Sequence, residues 1–146
     1  MIKVHLRKGA ESPGASDAPV SCVQGLVLDS SSEIPAGAIW IDLFKPTSAE
    51  ERQTAAYLEI DIPTSSDIDY VEPPESLYAD RGARYLGAQM LCGIGDAAQM
   101  ARVTFILTDR CIVTLRNEDS DAFSLFSRRL SSSDAPGIRP ETFSRA

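Results

Sequence analysis

The opening run Ile2-Lys3-Val4-His5-Leu6 alternates apolar and polar side chains, the period of a half-buried strand, and predicts a short strand over 1–7. Residues 9–19 are rich in Gly, Pro, Ser and Asp and read as a loop. Val20 to Leu28 is apolar and β-branched enough for a second strand, irregular around Gly25. Ala38 to Phe44 is a short buried strand carrying one carboxylate, Asp42, near its end. Thr47-Ser48-Ala49-Glu50 has the form of a capping box, in which hydroxyl and carboxylate satisfy the first free amides of a helix. That helix runs to about Leu58, with Ala55, Ala56 and Leu58 as its apolar side. Pro63 then breaks the chain, and Thr64-Ser65-Ser66-Asp67 starts a second short helix. On it Ile68 and Val71 share a face, and Pro73-Pro74 ends it.

From Leu77 the period changes. Leu77-Tyr78-Ala79, the turn Asp80-Arg81-Gly82, then Ala83 to Leu91 predict a β-hairpin, with Gly82 free to take positive φ. Ala101–Leu107 and Cys111–Leu115 predict another, turning at Asp109-Arg110. Alternation is weak in Val103–Leu107, as in an inner strand covered on both faces. Asp119-Ser120 can cap a helix to about Ser131, turning Phe123, Phe126 and Leu130 inward at i, i+3 and i+7. After Pro136-Gly137, Arg139-Pro140-Glu141-Thr142 has the form of a helix start, with Pro in the first turn. The sum is α/β: a mixed sheet of about six strands with helices inserted.

Composition narrows the function more than the fold. The 146 residues are enough for one ordinary domain with its own core, and 43% hydrophobic with 24% charged excludes disorder as the main state. A net charge of −7 argues against nucleic acid and against docking on anionic lipid, both of which need a basic patch. Cys22, Cys92 and Cys111 form no close pair and read as small buried hydrophobes. His5 stands without a Cys or His partner, so it reads as a strand residue rather than a metal ligand. Neither a signal-peptide core nor an apolar stretch long enough for a bilayer is present, so this stretch by itself is expected to be soluble.

Phosphate-loop, nucleophile-elbow, dinucleotide and zinc-protease motifs are missing, and Gly93-Ile94-Gly95 reads as a flexible loop between strands. A Ser–His–Asp arrangement would have to rest on His5 alone. Carboxylates without a base or nucleophile give no hydrolase, and the expectation is not an enzyme. One constellation stands out. Between Glu59 and Asp80 lie Glu59, Asp61, Asp67, Asp69, Glu72, Glu75 and Asp80, with no Lys or Arg among them. A hard dication held through oxygen ligands would relieve their repulsion, weakly enough to suit a sensor. A solvated acidic face on a short surface helix is the other reading, and both stay open. Asp67 and Asp69, two apart, point to different sides of a helix and cannot readily clamp one ion without a partner chain.

Trp40-Ile41-Asp42-Leu43 followed by Pro46-Thr47 and a Glu-rich helix resembles the early strand and helix of CorA-type magnesium/cobalt transporters. Leu58-Glu59-Ile60-Asp61-Ile62-Pro63-Thr64, then Ile68 and Val71-Glu72, is similar to that family's next segment. So is the hairpin of Val103–Thr108 and Ile112–Arg116, and the resemblance runs in order from about Trp40 to Leu130. It implies an α/β/α sandwich with a central mixed sheet of six to seven strands and helices on both faces. It further implies a cytosolic domain over 1–139 and, over 140–146, the start of the helix leading toward a stalk and two membrane helices, which lie outside this chain. Family members are homopentamers at the cell membrane, gated by intracellular Mg2+ held by carboxylates between neighbouring cytosolic domains, with Mg2+ or Co2+ as transported ions. On that resemblance Asp67 aligns with the sensing Asp, although Ser66 stands where those members carry an acidic residue; Asp69 and Glu72 are further candidates. The alternatives are a related Zn2+ transporter, or a free-standing soluble α/β ligand-binding module.

Overall fold

The computed structural model describes residues 1–7, 23–64, 77–93 and 95–132. Their elements are β1 (Ile2–Arg7), β2 (Val23–Leu28), β3 (Ala38–Phe44), α1 (Ser48–Leu58), β4 (Leu77–Asp80), β5 (Ala83–Cys92), β6 (Gln99–Leu107), β7 (Ile112–Arg116) and α2 (Asp121–Ser131). The strands form one seven-stranded sheet in the order β2-β1-β3-β7-β6-β5-β4. β1 lies between β2 and β3, antiparallel to both, and β4 to β7 make an antiparallel meander. The two halves meet along β3 and β7, which pair in parallel with Asp42 opposite Thr114.

Alternation along β3 divides the interior. Ile41 and Leu43 enter a core with Ile2, Val4, Ile106, Val113 and Leu115, closed by Leu58 of α1. Trp40 points the other way and packs with Val103 and with Phe123 of α2. Among the described residues one helix therefore lies on each face of a mixed sheet, as the α/β expectation holds. The continuous apolar run of β3 follows from this burial on both faces.

The local signals explain the element ends. Thr47 Oγ1 accepts from Glu50 N at 3.3 Å, and Glu50 Oε2 accepts from Thr47 N at 2.8 Å, completing the capping box. Arg81 and Gly82 take φ of +46° and +80°, the tight primed turn that matches the twist of a hairpin. Ser120 caps α2 through Ala122 N.

Three expectations need correction. α1 buries Glu50, Glu51, Thr54 and Leu58, while Ala56 is exposed. Its inward face is polar because Glu50 serves the cap and the Met1 ammonium, at 2.8 Å, and Thr54 Oγ1 donates to Glu50 O. β6 is an inner strand, yet Leu107 is exposed and Phe105 only half-buried, because α2 does not reach over this part of the sheet. For the same reason Phe126 turns toward Trp40, at 5.4 Å between rings, and stays half exposed. The predicted short helix at 64–72 and the helix start at 139–142 lie outside the described residues, apart from Thr64.

Candidate functional site

The acidic stretch reaches the described structure only at its ends. Asp67, Asp69 and Glu72 lie outside the described residues, as does Glu75. Glu59 caps α1 in the left-handed conformation, with its amide on Ala55 O. Asp61 follows, and its carbonyl accepts from the Tyr85 hydroxyl at 2.7 Å. Tyr85 stacks flat on Tyr78 of the edge strand, 4.5 Å between centroids. This anchors the start of the stretch to the β4–β5 hairpin into which its end feeds.

Arg81, read from the sequence only as a turn residue, belongs to this edge. The acidic count stops one residue short of it, but the hairpin turn carries its guanidinium 3.7 Å from Asp61 Oδ1 and 4.0 Å from Asp80 Oδ2. All three are well exposed, so each pair is weak. The surroundings remain negative. Burial first, then Asp80 and Asp61, push the Tyr78 hydroxyl above its ordinary pKa. Burial likewise raises Tyr85, helped by Tyr78, Asp80 and Asp61. Among the described residues, no three His, Cys, Asp or Glu side chains converge as a metal site would need.

A second charged cluster is buried beneath α2. Arg116 grips Asp42 with two donors, Nε to Oδ1 at 3.0 Å and Nη2 to Oδ2 at 2.8 Å. Its Nη1 reaches Asp119 Oδ1 at 3.2 Å and Glu118 O at 3.1 Å. The guanidinium lies over the rings of Phe44 and Phe123, at 4.6 and 4.3 Å. Thr114 Oγ1 donates to Asp42 at 2.7 Å and accepts from Trp40 Nε1 at 3.0 Å. Burial works against the charge on Arg116, but the bonds and charge of Asp42 outweigh it and hold the pKa above its usual value. A hollow of about 180 Å³ opens here, lined by Lys3, His5, Asp42, Arg116, Asp119 and Ser127. With Asp42 and Arg116 spent on one another, the arrangement suits a structural lock across β3 and β7 better than a ligand site.

His5 completes that cluster. It is fully buried, stacked on Trp40 at 4.2 Å, with Nε2 2.8 Å from Ser127 Oγ of α2. Burial, and secondarily Lys3, lower its pKa to about 4 against the opposing pull of Asp42 and the Trp40 backbone. A base held so low, beside a buried serine of α2, is poorly matched to catalysis near neutral pH. Cys92 and Cys111 are buried and free, and burial pushes the Cys111 thiol up, as expected of packing residues. No helix among the described residues is long and apolar enough to cross a membrane.

No protein-family model matches the sequence. Over 93 residues the chain is 32% identical to a magnesium transport protein CorA of Mannheimia succiniciproducens, and 29% identical to one of Pasteurella multocida. A Haemophilus influenzae magnesium transport protein CorA is 28% identical over the same length. Each match covers 63% of this chain, which spans 29% of the first two relatives and 30% of the third. The soluble domain of CorA from Methanocaldococcus jannaschii superposes with a TM-score of 0.49 at 14% identity, over 63% of this chain and 36% of that one. The resemblance to CorA-type proteins read from residues 40–130 is borne out by the curated relatives.

Proposed function

We propose that this CorA-like chain is the cytosolic regulatory domain of a divalent-cation transporter, and that its acidic edge senses magnesium. The reading is non-enzymatic. The observation that carries it is the 93-residue similarity to magnesium transport proteins. The exposed carboxylates of Asp61 and Asp80, at the two ends of the acidic stretch, support the sensing half. On this reading Asp67 supplies a ligand between neighbouring subunits of a pentamer at the cell membrane, with Asp69 and Glu72 beside it. Magnesium is then both transported ion and regulator, with cobalt as a second cargo. An ion that binds only the closed arrangement stabilises it by mass action, so weak sites repeated at several interfaces suffice.

The test is limited proteolysis of the protein expressed from its full open reading frame, titrated with magnesium as wild type and as Asp67→Ala. Protection of the wild type at a magnesium level several-fold below that needed by the variant is the expected result. Equal responses, or none, would sink the sensing role. The transport role is checked separately by whether the gene restores growth of a magnesium-uptake-deficient host at low magnesium.

A further inference from the structure

α2 is fastened to the sheet through one narrow patch. Of its 11 residues only Phe123 and Ser127 are buried. Phe123 packs on Trp40, 6.2 Å between rings, and on the Arg116 guanidinium at 4.3 Å. Ser127 Oγ sits 2.8 Å from His5 Nε2, and the His5 ring stacks on Trp40 within 12° of parallel. The large core on the other face of the sheet takes no residue from α2, whereas the small one of Trp40, Val103 and Phe123 depends on it. A helix held by so few buried contacts opens at lower cost than the sheet it covers.

That patch contains the chain's only histidine, and the neutral ring fits it better than the charged one. Both nitrogens of an imidazolium are donors, and each needs an acceptor. Ser127 Oγ supplies one at Nε2. Nδ1 is buried without a hydrogen-bond partner among the described residues, and the pull of the Trp40 backbone is the weakest influence on the ring. The surrounding charges do not make up the deficit. On its own strand Lys3 repels a positive ring, and β2 passes Gly25 beside the ring and holds no charged residue. β3 brings Asp42, which attracts the ring but is already gripped by Arg116 of β7. Asp119, ahead of α2, is bound to Arg116 and 76% exposed. The Met1 ammonium borders the same hollow, paired with Glu50 of α1, and Asp121, Arg128 and Arg129 of α2 are exposed.

We propose that α2 is a proton-released helix: protonation of His5 lifts it off Trp40 while the seven-stranded sheet and the core under α1 stay folded. The sign follows from burial. Docked, His5 has a pKa of about 4, and undocked it regains its ordinary 6.5. The open form therefore takes up the proton first, and opening gains by up to about tenfold for each pH unit below 6.5, down to about 4.

The experiment is hydrogen exchange by mass spectrometry on the untagged 146-residue chain between about pH 7.5 and pH 4.5, with rates corrected for the intrinsic effect of pH. Amides of α2 should lose protection by up to about tenfold per pH unit below 6.5, with those of β6 and β7 unchanged. The single imidazole NMR signal should titrate in step with that loss, and His5→Gln should leave α2 protection flat. Concerted loss in α2, β6 and β7 overturns the proposal, as does α2 protection that ignores pH in the wild type. A folded His5→Gln that keeps the acid response assigns the trigger to Asp42 or Asp119 and overturns it too. If that variant does not fold, the wild-type imidazole decides alone: titration near 6.5 with α2 still protected overturns the proposal.

Discussion

Two arginines each stand between two aspartates in this fold, with opposite consequences. Arg116, 7% exposed, holds the buried Asp42 beneath α2 and reaches out to Asp119, which is 76% exposed at the rim. Arg81 sits between Asp61 and Asp80 at a hairpin turn, 64% exposed. The inner pair is bidentate, supported by Thr114 and Trp40 and roofed by two aromatic rings. The outer contacts are long and single. Low dielectric makes the inner charges dependent on one another, whereas water makes the outer ones replaceable. The inner cluster is therefore committed to holding the fold, and the outer one leaves its carboxylates exposed to solvent.

The comparison is broken most easily at Asp42. Asp42→Ala leaves the Arg116 guanidinium buried without its main partner, and about 3–5 kcal/mol of stability is the expected loss in urea denaturation. A loss under about 1 kcal/mol would mean that the buried cluster is no lock.

Next in size is the response to acid. His5 has a folded pKa near 4 and an ordinary one near 6.5, so the unfolded chain takes up the proton first. Its contribution is complete above pH 6.5 and is lost as pH falls from 6.5 to about 4, by up to about 3 kcal/mol. Melting measured across that window should show the slope, and His5→Gln should remove it. A variant as steep as the wild type would place the acid sensitivity elsewhere.

The smallest effect belongs to the outer cluster. Arg81→Ala should change stability by less than about 1 kcal/mol. With the competing guanidinium gone, magnesium should raise the melting temperature of the variant more than that of the wild type. Destabilisation comparable to Asp42→Ala would erase the distinction between the two clusters.

Much of this architecture is legible in the sequence where the signal is local. The Thr47–Glu50 box fixes the start of α1, and Asp80-Arg81-Gly82 fixes the β4–β5 turn, because neighbours within a few residues decide both. Partnerships across the chain are not legible in this way. Asp42 reads as one carboxylate near a strand end, and only the parallel pairing of β3 with β7 brings it to Arg116, 74 residues on. His5 reads as a strand residue, correctly, but nothing local announces Ser127 above it, 122 residues away. The inward face of α1 misleads because Glu50 and Thr54 are satisfied by backbone and by Met1 rather than by apolar neighbours. Of the metal candidates, Asp67, Asp69 and Glu72 rest on the sequence alone, while Arg81, legible as a turn residue, comes to Asp61 only through the hairpin geometry.

The parallel pairing of β3 with β7 is also the junction of longest sequence separation in the sheet. The β4–β7 meander closes through neighbouring strands, by contacts that a short search can find. The junction between the two halves cannot start before a loop of some seventy residues has been drawn shut, and the chain-entropy cost of that closure precedes every hydrogen bond that rewards it. Asp42 and Arg116 meet only when that loop closes, so the ion pair latches the junction between the two halves of the sheet.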